Sequence, residues 1–172
     1  YVAFNTAIRP DELDDAGGQL AQLAREVKPD ALIIQDPGMV ALARQVGFQG
    51  ELHLSTLANV SFPKALQVIR QKLKVDRVVL PRELNIDEVK TLAQVCPRGL
   101  DLEVFIHGAL CYSVSGRCYW SSFLGGKSSL RGRCVQPCRR QYSQGNQTHR
   151  YFSCQDLSVD VLAKLLLSIP QI

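Results

Sequence analysis

Nowhere in these 172 residues does an apolar run approach the eighteen or so that a membrane-spanning helix needs. The opening YVAFNTAIRPDELDD lacks the basic and then apolar layout of a secretory leader. Both absences point to the cytoplasm, where thiols stay reduced and clustered cysteines bind metal more readily than they pair as disulfides. No linker or low-complexity tract interrupts the chain. Three protease signatures are also missing: a metalloprotease helix with paired histidines, a serine elbow, and a thiol with an obvious histidine partner. Cys111 near His107 comes closest to the last of these. A further absence concerns charge of one sign. Between Val104 and Gln155 there is no Asp or Glu, while Arg117, Lys127, Arg131, Arg133, Arg139, Arg140 and Arg150 all lie there. The whole chain carries only +4, so the remainder is net negative. This polarity suits RNA or another anionic substrate, and equally suits balancing a negatively charged thiolate cluster or plain solvation.

What is present has the balance of a soluble globular protein, 46% apolar and 21% charged. Short Val-, Ile- and Leu-rich runs alternate with helix-like stretches. YVAFN reads as a first strand, followed by a helix from Pro10 to Val27 with Leu13, Ala16, Leu20, Leu23, Ala24 and Val27 on one face. Ala31 to Ile34 makes a second strand, and Asp36 with Pro37 caps and starts a helix ending near Gly47. Leu52 to Ser55 is a third strand, and Ser61 to Leu73 a helix burying Phe62, Ala65, Leu66, Ile69 and Leu73. Arg77 to Leu80 is a fourth strand. Asn85 and Glu88 then have capping-box spacing, opening a helix that buries Val89, Leu92 and Ala93. Leu102 to Ile106 is the fifth strand.

After it the rhythm breaks, and a cysteine-rich insert replaces the expected helix. The fold class expected is therefore α/β, an incomplete (β/α) TIM-barrel-like domain with a cysteine-rich insert after the fifth strand, with an open doubly wound sheet as the rival. Residues 1–107 form the βα-repeat portion, 108–155 the basic insert, in which QYSQGNQTHR is polar and exposed, and 156–172 a C-terminal helix. The start on Tyr1 within a strand predicts a truncated chain. Missing barrel units or a partner chain are expected to cover the sheet edges.

Four of the six cysteines, Cys111, Cys118, Cys134 and Cys138, fall within 28 residues, separated by six, fifteen and three residues. Only the last pair fits the short knuckles of structural zinc sites. An iron-sulfur cluster accepts wider and less regular spacing, so both groups stay open. Cys96, before Pro97, reads as a buried thiol, and Cys154 is a reserve ligand.

The run Glu103, Phe105, Gly108, Ala109, Leu110, Cys111, Gly116, Cys118 and Ser121 resembles the signature of the collagenase-like peptidase family, the U-thirty-two peptidases. HLSTLANV, RVVLPREL and GGKSSLRGRCVQPCRR resemble further family segments, so the likeness covers essentially the whole chain. Trp120 stands where the signature prefers an aliphatic residue, and Leu57 where Gln is expected. The family's opening strand and helix units and a later Lys-Ile-Glu-Gly-Arg-like segment have no counterpart in this sequence. The resemblance implies a barrel-like fold and a 4Fe-4S cluster held by Cys111, Cys118, Cys134 and Cys138. It also implies oxygen-independent hydroxylation of RNA or a quinone precursor, with prephenate associated as oxygen donor, or else peptidase activity.

In a barrel, residues at strand C-termini share one mouth, which here collects Asn5, Asp36, Ser55, Thr56, Arg82, Glu83 and His107. The catalytic candidates are Arg82, a planar clamp for carboxylate or phosphate, Glu83 as acceptor, and His107 as proton carrier. A salt bridge, a helix cap and a hydrogen-bonded core histidine are the corresponding structural roles. Arg131, Arg133, Arg139 and Arg140 are the candidates for nucleic-acid contact, with Tyr112, Tyr119, Trp120 and Tyr142 able to stack on unpaired bases or to pack the loop. Three functions follow: a redox enzyme with RNA substrate and a redox partner, a peptidase, or a noncatalytic module stapled by zinc.

Overall fold

The computed structural model describes residues 1–106, 111–140 and 142–149. Five strands, β1 (Val2–Phe4), β2 (Ala31–Ile34), β3 (Glu51–Leu54), β4 (Arg77–Val79) and β5 (Asp101–Glu103), form one parallel sheet in sequence order. The registers advance without a reversal, as in Leu32 beside Leu52 and Val78 beside Leu102. A doubly wound sheet needs a reversal at a switch point, and none occurs among these five strands. The order is consistent with the wall of a TIM-barrel-like fold.

Each crossover is helical: α1 (Leu13–Gln22), α2 (Pro37–Gln45), α3 (Pro63–Val68) and α4 (Ile86–Gln94). Local chemistry sets where they start. The Asp36 carboxylate accepts from the Gly38 N–H at 2.9 Å with Pro37 in the first turn. Asn85 accepts from the Asp87 and Glu88 N–H groups at 3.0 Å, and Glu88 reaches back to the Asn85 N–H at 2.7 Å, completing the reciprocal cap. Both α1 and α3 run on into one wider turn, Leu23–Val27 and Ile69–Leu73, each closed by a lysine in the left-handed region, Lys28 and Lys74.

The core joins alternate strand residues, Leu32, Ile34, Leu52, Leu54 and Val78, to the inner stripes of the helices, Leu20, Met39, Val40, Leu66, Ile69, Val89 and Leu92. Period-two alternation sends His53 to the opposite side of the sheet, where it is buried, 2.8 Å from Glu51 and edge-on to the Tyr1 ring.

Several sequence expectations shift by a residue or two. Phe62 is 66% exposed because it precedes Pro63, is held extended, and so stands outside the helix it was expected to help bury. Leu13 and Val27 are exposed at the two ends of the α1 segment, where its regular period gives way. Ala93 falls outside the Val89–Leu92 stripe and is exposed. The fifth strand ends at Glu103, leaving Phe105 and Ile106 exposed.

Beyond it lie the short α5 (Trp120–Gly125), 3-10 turns at Ser129–Arg131 and Pro137–Arg139, and an antiparallel hairpin of β6 (Tyr142–Gln144) and β7 (Gln147–His149). The hairpin was not anticipated, although Gly145-Asn146 between two strands is a recognised two-residue turn signal. The expected C-terminal helix lies outside the described residues. Among the described residues no helix is long and apolar enough to cross a membrane.

Candidate functional site

The C-terminal ends of β1, β3 and β4 open onto a cavity of about 300 Å³. Asn5 after β1, Thr56 after β3 and Arg82 after β4 line one side of it. Cys111, Cys118, Cys134 and Cys138 all line it too. No carboxylate or imidazole is among its described lining residues. Three chain-distant turns and one cysteine-bearing segment thus share a single concave surface.

On the strand side, Arg82 Nη1 donates to the Thr56 hydroxyl at 3.1 Å. Arg82 Nε and Asn5 Oδ1 are buried without a partner among the described residues. Unpaired buried polar atoms are costly, and a donor and an acceptor on lining residues suit a polar ligand. Of the other strand-end candidates, Asp36 caps α2, and Ser55 accepts from the Leu57 N–H at 3.2 Å.

On the cysteine side, short-range bonds hold the segment in shape. Ser121 is fully buried, its hydroxyl donating to the Lys127 carbonyl at 2.6 Å and accepting from the Val135 N–H at 3.1 Å. Ser129 donates to the Cys118 carbonyl at 3.0 Å. These bonds tie the turns bearing Cys118 and Cys134 to each other through α5. Burial opposes ionisation of Cys118, but N–H groups of Ser121 and Trp120 and hydroxyls of Ser129 and Ser113 outweigh it, so its thiol lies below the ordinary value. Cys134 Sγ accepts from the Gln136 N–H at 3.4 Å. Cys111 and Cys134 are exposed, Cys118 and Cys138 half-buried, and no disulfide joins the described cysteines. Among the described residues, no three His, Cys, Asp or Glu side chains converge tightly enough to hold one metal ion.

Cys96 stands apart, half-buried rather than fully enclosed, with its thiol donating to the Leu100 carbonyl at 3.1 Å. Burial pushes that thiol up. His107 and Cys154 lie outside the described residues.

Glu83 is not in the cavity lining; its carboxylate accepts from the N–H and the hydroxyl of Ser115, the latter at 3.1 Å. Arg131 meets Glu12 through both guanidinium Nη atoms, one at 2.7 Å, and that pairing, with the Arg9 N–H, lowers the Glu12 carboxyl to about 2. The Arg131 charge is thereby paired with a carboxylate of the barrel portion. Arg133 and Arg140 are exposed, Arg140 also donating to the Val135 carbonyl at 3.1 Å, and Arg139 is half-buried. Tyr112 packs 6.1 Å from Trp120, and the Tyr142 hydroxyl donates to the Pro137 carbonyl at 2.8 Å. Tyr119 is 74% and Phe123 87% exposed. Phe123 is one turn along α5 from Tyr119, so the two share a helix face that residue-by-residue reading overlooked.

Comparison with known proteins gives this arrangement a lineage. The chain is 38% identical over 148 residues to tRNA hydroxylation protein P of Haemophilus influenzae, covering 86% of this chain and 32% of that protein. It is 35% identical over 153 residues to a 23S rRNA 5-hydroxycytidine synthase of Escherichia coli, covering 89% and 22%. It is 36% identical over 152 residues to a protein named collagenase of Porphyromonas gingivalis, covering 83% and 36%. The chain therefore spans only about a third or less of the length of these relatives. No solved structure matches. The sequence model of Peptidase family U32 matches residues 1–169, nearly the full length, and the chain belongs to that family.

Proposed function

We propose that this chain is the cysteine-bearing part of an RNA hydroxylase whose Cys111, Cys118, Cys134 and Cys138 hold a 4Fe-4S cluster. The observation that carries the reading is the shared cavity: all four sulfur-bearing side chains line the same space as Asn5, Thr56 and Arg82. An all-thiol donor set suits a thiophilic metal group, and its irregular spacing of six, fifteen and three residues favours a cluster over zinc. When bound, such a group supplies one-electron chemistry.

The chain's own residues supply the rest. Arg82, steadied by Thr56, holds an anionic co-substrate, and Asn5 accepts a hydrogen bond from it. By family resemblance that co-substrate is prephenate, whose oxygen is transferred in place of O2 while a redox partner takes up the two electrons released. Trp120, Leu130 and Pro137 give the cavity apolar walls that limit water. Arg133, Arg139 and Arg140 attract the RNA backbone, and the Tyr119–Phe123 face stacks on an unpaired base. The names of the tRNA and rRNA relatives support RNA as substrate, and in this reading the protein is cytoplasmic and works with a redox partner.

In this reading, residues 1–107 are part of a (β/α) barrel wall and 108–155 the cluster-binding insert. Further barrel units or a partner chain cover the edges at β1 and β5. The collagenase relative keeps peptidase activity as the alternative, but a thiolate engaged by a metal group is unavailable to attack a peptide bond. The test is anaerobic reaction of the full-length protein with RNA and prephenate, read by nucleoside mass spectrometry. Gain of one oxygen atom, abolished in Cys118→Ser and strongly reduced in Arg82→Met, is the expected result. Unmodified RNA with a peptide substrate cleaved would overturn it.

A further inference from the structure

The arm between Cys111 and Cys118 is pinned at its middle rather than at its cysteines. Ser115 is 1% exposed, and both its N–H and its hydroxyl donate to the two carboxylate oxygens of Glu83. The next residue, Gly116, has φ +72° and lies so close to the turn after β3 that a Cβ there would stand 2.2 Å from the Leu57 carbonyl oxygen. Only glycine meets both demands. One compact turn, closed by the Arg117 N–H on the Val114 carbonyl at 3.0 Å, is thus seated between the turns that follow β3 and β4.

Glu83 makes no ion pair with Lys or Arg among the described residues. It is not in the cavity lining, whereas Arg82 beside it is. Both of its oxygens are directed at one serine 32 residues away. Two directed bonds to a backbone N–H and a hydroxyl fix the loop's position in a way that a diffuse surface charge does not.

We infer that Glu83 is a positioning residue for the metal-binding arm. Through Ser115, with Gly116 seated on Leu57, it sets where Cys111 and Cys118 stand relative to Arg82 and the strand ends. The inference rests on the reading that these cysteines hold the cluster. It differs from a catalytic role for Glu83 in one checkable respect: the amide of a glutamine can accept from the Ser115 N–H through oxygen and donate to the hydroxyl through nitrogen. Glu83→Gln should therefore keep the latch, and Glu83→Ala should not.

The experiment compares full-length wild type, Glu83→Gln, Glu83→Ala and Gly116→Ala, purified anaerobically. It reads iron and sulfide content, the rate of cluster loss to a chelator, the electron paramagnetic resonance spectrum of the reduced protein, and exchange of the Ser115 amide. Loss of an outer partner of a metal ligand typically weakens metal retention by about 10–100-fold. Glu83→Ala and Gly116→Ala should lose the cluster faster by about that factor, with an altered spectrum and faster Ser115 exchange, while far-ultraviolet circular dichroism stays that of wild type. Glu83→Gln should stay within about threefold of wild type, well below that range. A Glu83→Ala protein that retains its cluster with an unchanged spectrum overturns the inference, as does a Glu83→Gln protein as defective as Glu83→Ala. Wild type without iron or sulfide overturns instead the cysteine reading on which it rests.

Discussion

Replacing Ser121 by alanine isolates the bonds that shape the cysteine segment, because the side chain is fully buried and touches no proposed substrate group. The hydroxyl donates to the Lys127 carbonyl and accepts from the Val135 N–H, so its loss strands one acceptor and one donor. Each stranded buried group costs about 1–3 kcal/mol. Lys127 is exposed and its carbonyl can turn to water, which leaves the Val135 N–H as the main loss and about 2 kcal/mol as the net effect. This falls on local opening rather than on the sheet, since neither bond reaches β1 to β5. About 2 kcal/mol corresponds to roughly a 30-fold rise in the population of the open form. Amide hydrogen exchange read by mass spectrometry should show about that acceleration at Val135 and in the peptides around Cys118 and Cys134, with unchanged protection in β2 and β3. Exchange at Val135 within twofold of wild type, or equal acceleration throughout the sheet, would refute the reasoning.

Glu12 provides a pH test. Its folded value of about 2 lies below the ordinary 4.5, so the Arg131 contact contributes in full above pH 4.5 and is lost as pH falls toward 2. Carboxyl titration by nuclear magnetic resonance should give a midpoint near 2 that rises toward 4.5 in Arg131→Met, whereas an unchanged midpoint would remove the contact from the account. For RNA binding, Arg133→Ala with Arg140→Ala should reduce the log–log salt slope by about 1.4 if each meets one phosphate of a single strand. A salt slope equal to that of wild type would exclude them. Phe123→Ala should cost about 1–3 kcal/mol in binding unpaired RNA and leave duplex binding unaltered, as measured by fluorescence anisotropy.

How much of this was legible beforehand depends on the range of each interaction. Asn85 with Glu88, and Asp36 with Pro37, act over three residues or fewer, so their types and spacing announce the helices they start. The β2 run from Ala31 to Ile34 reads as a buried strand because all four residues are apolar, and its bounds agree with the structure. Phe62 misleads because helical spacing ignores the proline after it. The site was legible in its parts and not in its joints. The strand-end positions of Asn5, Thr56 and Arg82 follow from parallel topology, and the cysteines announce themselves by clustering. Glu83 meets Ser115 across 32 residues, and Arg131 meets Glu12 across 119, distances over which sequence carries no pairing signal in one chain. Glu83 invited a catalytic reading from its strand-end position, and its two bonds from Ser115 are a partnership that no spacing announces. Ser121 stood in the family-like run without an evident role until its two bonds were seen.

The proposed function stands or falls on whether Cys111, Cys118, Cys134 and Cys138 serve one inorganic group. Iron and acid-labile sulfide, measured together on anaerobically purified protein and on the four single Cys→Ser variants, address it most directly. About four of each per chain are expected in wild type and a large loss in every variant, with Cys96→Ser unaffected. Zinc without sulfide, or full loading that survives these replacements, would contradict it.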